Sequence, residues 1–315
     1  MSAGLYPWHE PLLERAARLI QAGRLPHALL LRGRRGDGLL QAAQALAHLC
    51  LCVRPVGVTP CGECKSCQLL AVNSHPDLQL LQPEEPSRII KIDAVRELVN
   101  QFAHTPQIAA WKVAILYPAN QLNTAAANAL LKTLEEPPGQ SLLILAADQH
   151  ACIMPTLQSR CQQLELARPD HRQATAWLAA QNVQEGEELL QATAGEPLRA
   201  LAWHEQNRLA DWQGFRTLLA RLGEADVSLA QATSTLADIP PTDLLHWYMN
   251  FLREQLHLSL GSPEASRGFL ACFDQAMDAA GELERGTNPN QQLMTESLLM
   301  QWQRICATGR QRAVG

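Results

Sequence analysis

The chain has 315 residues, of which 47% are hydrophobic and 18% charged, and its formal net charge is −5. This length accommodates two or three domains with sizeable cores, and the acidic balance argues against a protein that grips DNA on its own, because such proteins usually carry a basic surface. No apolar run reaches the roughly 18 residues of a membrane span, and the first residues lack the basic leader and apolar core of a signal peptide.

The first predicted elements are an amphipathic helix over Leu12–Ala22 and an apolar strand over residues 28–32. The strand leads into Gly33-Arg-Arg-Gly-Asp-Gly38 and then into an apolar helix. A strand, a glycine-rich turn and a helix N-terminus form the architecture of a phosphate-binding loop. In that motif Lys and then Ser or Thr follow the last glycine, but here Leu39 and Leu40 stand in their places. The loop is therefore predicted to be degenerate.

Four cysteines after this helix have the spacing C-x8-C-x2-C-x2-C, namely Cys52, Cys61, Cys64 and Cys67. Four thiolates can close a tetrahedral shell around zinc and leave no open coordination position. The predicted zinc is therefore structural and not catalytic. Cys50 is a competing candidate for the first ligand. His75 is a less favoured candidate for the fourth, and its position before a proline is more typical of a turn residue. Nine cysteines without a signal peptide indicate metal ligands or free thiols in the reducing cytoplasm.

The rest of the first domain alternates strands and helices. Further strands are predicted over residues 78–81, 113–117, 142–146 and 162–166. The helix before the fourth strand is amphipathic and ends before Pro137 and Pro138, because a residue that precedes proline avoids the α region. Strand, helix and strand make a βαβ unit. The pattern predicts an open, parallel, five-stranded α/β sheet.

A proline and several charges at residues 168–172 mark a boundary, after which no strand pattern follows. We predict an α/β domain over 1–167 with the metal-binding segment inserted at 52–67. Three short helices at 168–206 make a small lid, and residues 207–315 form an all-helical domain. Apolar stripes on helices of this kind are usually internal core.

Two segments of the first domain resemble motifs of a known family. Asn128-Ala-Leu-Leu-Lys-Thr-Leu-Glu-Glu-Pro-Pro138 and Ser159-Arg160-Cys161 are similar to segments of the clamp-loader branch of the AAA+ ATPases. Within that branch, the chain is most similar to the delta prime family of bacterial DNA polymerase III. The resemblance implies an AAA+ α/β domain with helices on both faces of the sheet, a lid, and a C-terminal collar that joins subunits into a ring. It also favours Cys52 as the first zinc ligand.

The resemblance implies a role for the Ser-Arg-Cys segment. In the family its arginine is a finger that acts in trans, so Arg160 is expected to reach the ATP site of a neighbouring subunit, flanked and positioned by Ser159 and Cys161. Taken alone, an arginine in such a polar segment is more often part of a surface ion pair.

Alignment to the family pattern shows further departures at the ATP site. The acidic pair of the Walker B strand is replaced, as are the polar sensor after the fourth strand and the sensor arginine of the lid, which would stand one position before Arg199. The replacing residues are Tyr117, Pro118, Ala147 and Leu198. Together with Leu39 and Leu40, these departures predict no functional ATP site and no ATP hydrolysis by this chain.

The predicted function is that of a non-hydrolysing clamp-loader subunit in the cytoplasm, part of a DNA-directed DNA polymerase holoenzyme but without an active site of its own. The implied partners in this hetero-oligomer are the gamma/tau ATPases and the delta subunit, and through them the sliding clamp and primer-template DNA. One alternative is an ATP-hydrolysing motor subunit of the gamma/tau kind. The other is a zinc-knuckle nucleic-acid binder, which the negative net charge and the few basic residues near the cysteines disfavour.

Overall fold

The computed structural model describes residues 5–84, 89–259, 263–284 and 290–313. They form two compact units, the first made of the described residues of 1–177 with 196–198 and the second of those of 178–195 and from 199 onward. The three-part division predicted from the sequence stays a prediction.

Five parallel strands of the first unit form one sheet in the order β2-β3-β4-β1-β5. The strands are β1 (Ala28–Gly33), β2 (Leu78–Leu81), β3 (Lys112–Leu116), β4 (Ser141–Asp148) and β5 (Gln162–Glu165). The predicted α/β architecture with a five-stranded parallel sheet is confirmed, and the predicted strand ends differ from these by at most two residues.

The helices of the first unit alternate with these strands. They are α1 (Glu10–Gln21), α2 (Leu39–Leu51), α3 (Lys65–Ala71), α4 (Ile92–Phe102), α5 (Thr124–Glu135), α6 (Pro155–Gln158) and the start of α7 (His171–Ala180). Helix α5 begins where the Asn123 side chain accepts a hydrogen bond from the Ala126 N–H at 2.8 Å, which satisfies one of the free donors of a helix start. It connects the paired strands β3 and β4, so the predicted βαβ unit is present.

The two faces of the sheet carry two hydrophobic cores. Leu142 and Ile144 of β4 point to one face, where α1 and α2 pack, and Leu143 and Leu145 point to the other, where α4 and α5 pack. Side chains of successive strand residues alternate between faces, so a continuous apolar run is what a strand covered on both faces requires. The expectation of helices on both faces is confirmed.

The regular secondary structure in the described residues of the second unit is helical. The unit contains the end of α7, then α8 (Gly186–Ala192), α9 (Pro197–Glu205) from residue 199 onward, α10 (Leu209–Glu224), α11 (Leu229–Thr235), α12 (Pro241–Leu258), α13 (Pro263–Glu284) and α14 (Gln291–Ala313). Aromatic rings fill its core: Trp203, Trp212 and Phe215 all lie around Trp247 with centroids 5.7 to 6.4 Å away. No helix in the described part of the chain is both long and apolar enough to cross a membrane.

Candidate functional site

The glycine-rich turn connects a strand to a helix N-terminus, which is the order of elements in a phosphate-binding loop. Strand β1 ends at Gly33, a 3-10 turn covers Arg35–Asp37, and Gly38 takes a left-handed conformation (φ 84°) immediately before α2 begins. Side chains other than glycine rarely adopt this conformation, so the last glycine of the predicted frame is required by the turn itself. The degenerate loop predicted at these residues thus has the expected local geometry.

Contacts to Asp37 hold this loop in place. The carbonyl oxygen of Asp37 accepts hydrogen bonds from Trp8 Nε1 at 2.7 Å and from His9 Nε2 at 2.9 Å. The Asp37 carboxylate pairs with Arg34, whose Nε and Nη2 donate to separate oxygens at 2.7 and 2.9 Å. Burial lowers the pKa of His9, which favours a neutral ring that carries its proton on Nε2. The carbonyl and the carboxylate of Asp37 therefore already have hydrogen-bond partners within the chain.

The space over the loop glycines is filled by side chains of the same unit. A Cβ built on Gly36 would lie 2.5 Å from the Cβ of Glu196, and one on Gly38 would lie 2.8 Å from the Tyr6 ring and 3.1 Å from Cε1 of His9. Glu196 itself is only 8% exposed. A phosphate approaching Gly36 would therefore meet a carboxylate, which is a like charge, and a phosphate approaching Gly38 would meet aromatic rings.

The two leucines after the loop belong to the hydrophobic core. Leu39 is fully buried in the cluster beneath the sheet, and Leu40 packs against the same cluster. The position that carries the lysine of a phosphate-binding loop thus has an aliphatic side chain that faces the protein interior. It supplies neither a positive charge nor a magnesium ligand.

The residues at the other positions aligned with the family's ATP site are partly or fully buried. Tyr117 follows β3, and its burial raises the pKa of its hydroxyl, while Ala147 in β4 is fully buried. In the second unit, Arg199 lies on α9, where its Nη1 is 2.7 Å from a ring nitrogen of His246 on α12. Burial, followed by the charges of Arg199 and Arg253, lowers the pKa of His246 to about 3, so this ring is a neutral acceptor for the guanidinium.

Arg160 lies at the surface, directly after the short helix α6. Its Nε and Nη2 donate to one oxygen of Glu135 at 2.8 and 2.5 Å, and its Nη1 donates to the Thr156 carbonyl at 3.0 Å and to Ser159 Oγ at 3.2 Å. The side chain is 34% exposed and that of Glu135 is 52% exposed. The arginine therefore belongs to an exposed ion pair within its own chain.

The two neighbours of Arg160 fix its backbone. The Ser159 hydroxyl donates to the Thr156 carbonyl at 3.2 Å, while Cys161 packs against the core between the sheet, α4 and α5. Burial raises the pKa of the Cys161 thiol to about 11, so this cysteine is a neutral apolar anchor. The segment thus presents a guanidinium between the end of α6 and a half-buried side chain.

The four predicted metal ligands come together. The sulfur atoms of Cys52, Cys61, Cys64 and Cys67 all lie within 4.8 Å of one another. The Cys61 and Cys67 sulfurs are 3.9 Å apart, close to the roughly 3.8 Å edge of a tetrahedron with metal–sulfur bonds of about 2.3 Å. These four cysteines could therefore hold a metal ion.

Two backbone N–H groups donate hydrogen bonds to sulfur atoms of this cluster. The N–H of Cys61 points at the Cys52 sulfur at 3.2 Å, and the N–H of Cys67 points at the Cys64 sulfur at 3.4 Å. Hydrogen bonds from the backbone N–H groups of Cys64 and Glu63 lower the pKa of Cys61 to about 6, whereas burial raises the pKa of Cys52 and raises that of Cys67 to about 12. Donors aimed at sulfur stabilise the charged form, which is the form that binds metal.

The two competing ligand candidates lie elsewhere. Cys50 is buried in the core beneath the sheet, and burial raises the pKa of its thiol to about 12. His75 accepts the Asp77 N–H on Nδ1 at 3.1 Å, so its Nε2 carries the proton toward Ser66 Oγ at 2.5 Å. Both ring nitrogens are occupied, and the buried Ser66–His75 pair joins the cysteine-rich segment to the start of β2.

Sequence reasoning missed four of these contacts. Neither Glu196 over the loop nor Glu135 beside Arg160 was singled out, and the Trp8 and His9 bonds to Asp37 were not predicted. Each joins residues between 25 and 160 positions apart, for which a single sequence has no distance signal. The only available hint was that both glutamates stand in the segments Glu-Glu-Pro-Pro and Gly-Glu-Pro.

Comparison with known proteins gives consistent matches. The family described as DNA polymerase III, delta subunit, matches residues 8–170. The DNA polymerase III subunit delta' of Pseudomonas aeruginosa is 34% identical over 98% of this chain and all of its own length. That of Escherichia coli K12 is 35% identical over 83% of this chain and 79% of its own. A DNA polymerase III gamma subunit-related protein from Thermotoga maritima has a similar fold, with a TM-score of 0.52, 18% identity, and 93% and 99% of the two chains covered.

Proposed function

This chain belongs to the delta prime family of DNA polymerase III subunits, and from that membership we propose that it is a non-hydrolysing clamp-loader subunit whose Arg160 acts on the ATP of a neighbouring subunit. Its own phosphate loop is closed, and its contribution to hydrolysis is a single guanidinium supplied in trans. The observation that carries the proposal is the contrast between the blocked loop and the exposed arginine.

The blocked loop supports the first half of this proposal. A working loop presents backbone N–H groups, a lysine and a magnesium-binding hydroxyl to the phosphates. Here Glu196 covers Gly36, the rings of Tyr6 and His9 cover Gly38, and Leu39 faces the core. Placing a triphosphate at this loop would require displacing a buried carboxylate and would bring no positive charge in exchange.

The setting of Arg160 supports the second half. A guanidinium stays charged at all physiological pH values and can bind phosphate oxygens in pairs through its planar fork. Its present partner is an exposed carboxylate, and such pairs are worth only about 0.2–1 kcal/mol, so a triphosphate can replace it. Arginine fingers raise hydrolysis rates by roughly 10³–10⁵-fold.

For the four cysteines we propose a structural zinc. All four ligand positions of a tetrahedral ion would be taken by Cys52, Cys61, Cys64 and Cys67, which leaves no place for a substrate. Zinc would tie the end of α2 to α3. Such sites contribute roughly 10–16 kcal/mol of apparent binding free energy to local folding, which is substantial for a segment with few apolar side chains.

The proposed partners follow from the same family membership. They are the gamma/tau ATPases and the delta subunit, and through the assembled ring the sliding clamp and primer-template DNA. The helical residues from 207 onward would form the collar that joins the subunits, and 168–206 would be the lid. The proposed location is the cytoplasm, where the nine cysteines stay reduced as free thiols or metal ligands.

The test is the ATPase rate of a ring reconstituted with the gamma/tau and delta subunits, the clamp and primed DNA. Arg160→Ala should lower the rate at least 10²-fold per affected site while the ring still assembles, and Arg160→Lys should restore little, because lysine lacks the planar fork. Arg96→Ala is the matched control, since Arg96 is also exposed and pairs with Asp93 at 3.6 Å. An Arg160→Ala ring that hydrolyses ATP like the wild type would contradict the proposal.

A further inference from the structure

The Arg160 guanidinium makes hydrogen bonds to groups of its own chain. In the described structure they are Glu135, Thr156 and Ser159, and the first of these is the only charged one. One oxygen of Glu135 accepts from both Nε and Nη2, so the carboxylate covers the edge of the fork that would otherwise face a phosphate. The guanidinium is therefore neutralised within the isolated chain.

Glu135 stands at an unfavourable position for a carboxylate. It is the last residue of α5, and Glu136 leaves the helix with φ −126°. The carbonyl groups at a helix C-terminus carry partial negative charge, so an acidic side chain there is disfavoured unless a cation offsets it. Lys132 lies in the last turn of α5, and Arg160, 25 residues further along the chain than Glu135, supplies the cation that bonds Glu135 directly. The pair thus links the end of α5 to the segment that carries the proposed finger.

We propose that Glu135 is an intramolecular counter-ion that holds Arg160 in the unassembled chain and competes for it with the nucleotide phosphates of a neighbouring subunit. This inference rests on the proposed function of Arg160. Both ligands of the guanidinium are anions, and a carboxylate that stayed beside it would repel the incoming phosphates. Arg160 therefore exchanges Glu135 for phosphate when a neighbour with bound ATP docks.

The exposure of the pair makes this exchange easy. With side chains 34% and 52% exposed, solvent screens the attraction, whereas three phosphates and their metal offer a stronger and multiply charged site. In a fraction of the molecules, Glu135 still pairs with Arg160. Removing its charge should therefore increase the fraction of Arg160 side chains that are available to the neighbour.

The first experiment uses the full-length isolated chain. Relaxation of the Arg160 Nε–H group, measured by NMR, should report an ordered side chain in the wild type and in Glu136→Gln, and a mobile one in Glu135→Gln. Glu136 is the matched control, because it is the adjacent residue, carries the same charge and is exposed, but is not among the hydrogen-bond partners of Arg160 in the described structure. An Arg160 group that is equally mobile in all three proteins would overturn the counter-ion assignment.

The second experiment uses the reconstituted ring with its ATPase subunits, without clamp or DNA. Glu135→Gln should raise kcat/KM for ATP by about 1.4- to 5-fold, the range set by the strength of exposed ion pairs, and Glu136→Gln should leave it unchanged. The increase should vanish in the Glu135→Gln, Arg160→Ala double variant, which a merely structural effect of Glu135 would not produce.

The two proposals fail in different ways. If Arg160→Ala lowers ATPase but Glu135→Gln behaves like Glu136→Gln or lowers the rate, the competition is wrong and the finger stands. If Arg160→Ala itself leaves the rate unchanged, the finger role is wrong, and the competition is overturned with it because Arg160 then has no phosphate to reach.

Discussion

Glu196 packs on Gly36 so closely that a Cβ at position 36 would stand 2.5 Å from the Glu196 Cβ. The two residues are 160 positions apart and both belong to the first unit. This contact converts an anion-binding turn into a surface that already faces a carboxylate. The loss of a single lysine would only weaken phosphate binding. A carboxylate that stands where the phosphate would bind repels the phosphate.

Gly36→Ala should destabilise the first unit. The added methyl group would overlap the Glu196 side chain, and overpacking of this kind costs about 1–3 kcal/mol. Gly214→Ala in α10 is the control, because a Cβ there meets nothing within 4 Å and alanine is favoured over glycine in helices by about 1 kcal/mol. Urea denaturation checks both, and a Gly36→Ala protein as stable as the wild type would contradict the close packing.

Leu39→Lys should not create an ATP site. Leu39 is fully buried in the core, so the new ammonium group would lie in an apolar interior, with a destabilisation of more than about 4 kcal/mol. Leu40→Lys should cost less, because Leu40 is only partly buried at the edge of the same cluster. Denaturation midpoints and equilibrium binding of labelled ATP check this. Magnesium-dependent ATP binding by a folded Leu39→Lys protein would argue against a closed loop.

The purified chain should contain about one zinc ion, and Cys64→Ser should release it, because three thiolates bind this metal far less tightly than four. Cys50→Ser is the control: this thiol lies in the core outside the cluster, so the variant should lose stability but keep its metal. Elemental analysis of both variants, with thermal melting before and after chelation, tests the assignment. A folded wild-type protein without metal would refute the structural zinc.

Asp77→Asn should destabilise the first unit at neutral pH. Both Asp77 oxygens accept backbone N–H groups, from Gln107, Ile108 and Ala109 at 2.7, 2.8 and 3.0 Å, and asparagine has one acceptor fewer. Hydrogen bonds to charged groups are worth about 1.5–3 kcal/mol, so a loss of that size is expected. Urea denaturation at pH 7 measures it. The exposed Asp93→Asn is the control, with an expected change below about 1 kcal/mol.

The same carboxylate predicts a pH dependence. Burial alone would raise the pKa of Asp77, but the N–H groups of Ala109, Gln107 and Ile108 together lower it below 3.8. Since the pKa in the folded state is the lower one, the contribution of Asp77 is complete above the unfolded value and declines as the pH falls below about 4. The stability difference between wild type and Asp77→Asn should therefore shrink in acid. A difference that stays constant from pH 7 to pH 3 would contradict this.

Local pattern accounts for most of the predicted fold. The apolar runs in β3 and β4 and the proline stop after α5 are properties of neighbouring residues, and they predicted the parallel sheet and the βαβ unit. The cysteine spacing predicted a cluster for the same reason: Cys61, Cys64 and Cys67 stand close together in the chain, just before α3 and in its first turn, and the structure brings their sulfur atoms together. The interpretation of Arg160 as an ordinary surface ion pair also describes what the isolated chain shows.

The sequence by itself determined which chemical groups are present: a loop without its lysine, four clustered thiols, and an arginine after a short helix. Only the tertiary structure decided what those groups touch. That Glu196 covers Gly36 and that Glu135 neutralises Arg160 depends on where the chain returns after many residues. Such long-range pairs are set by the packing of whole elements against the sheet, which no local propensity encodes.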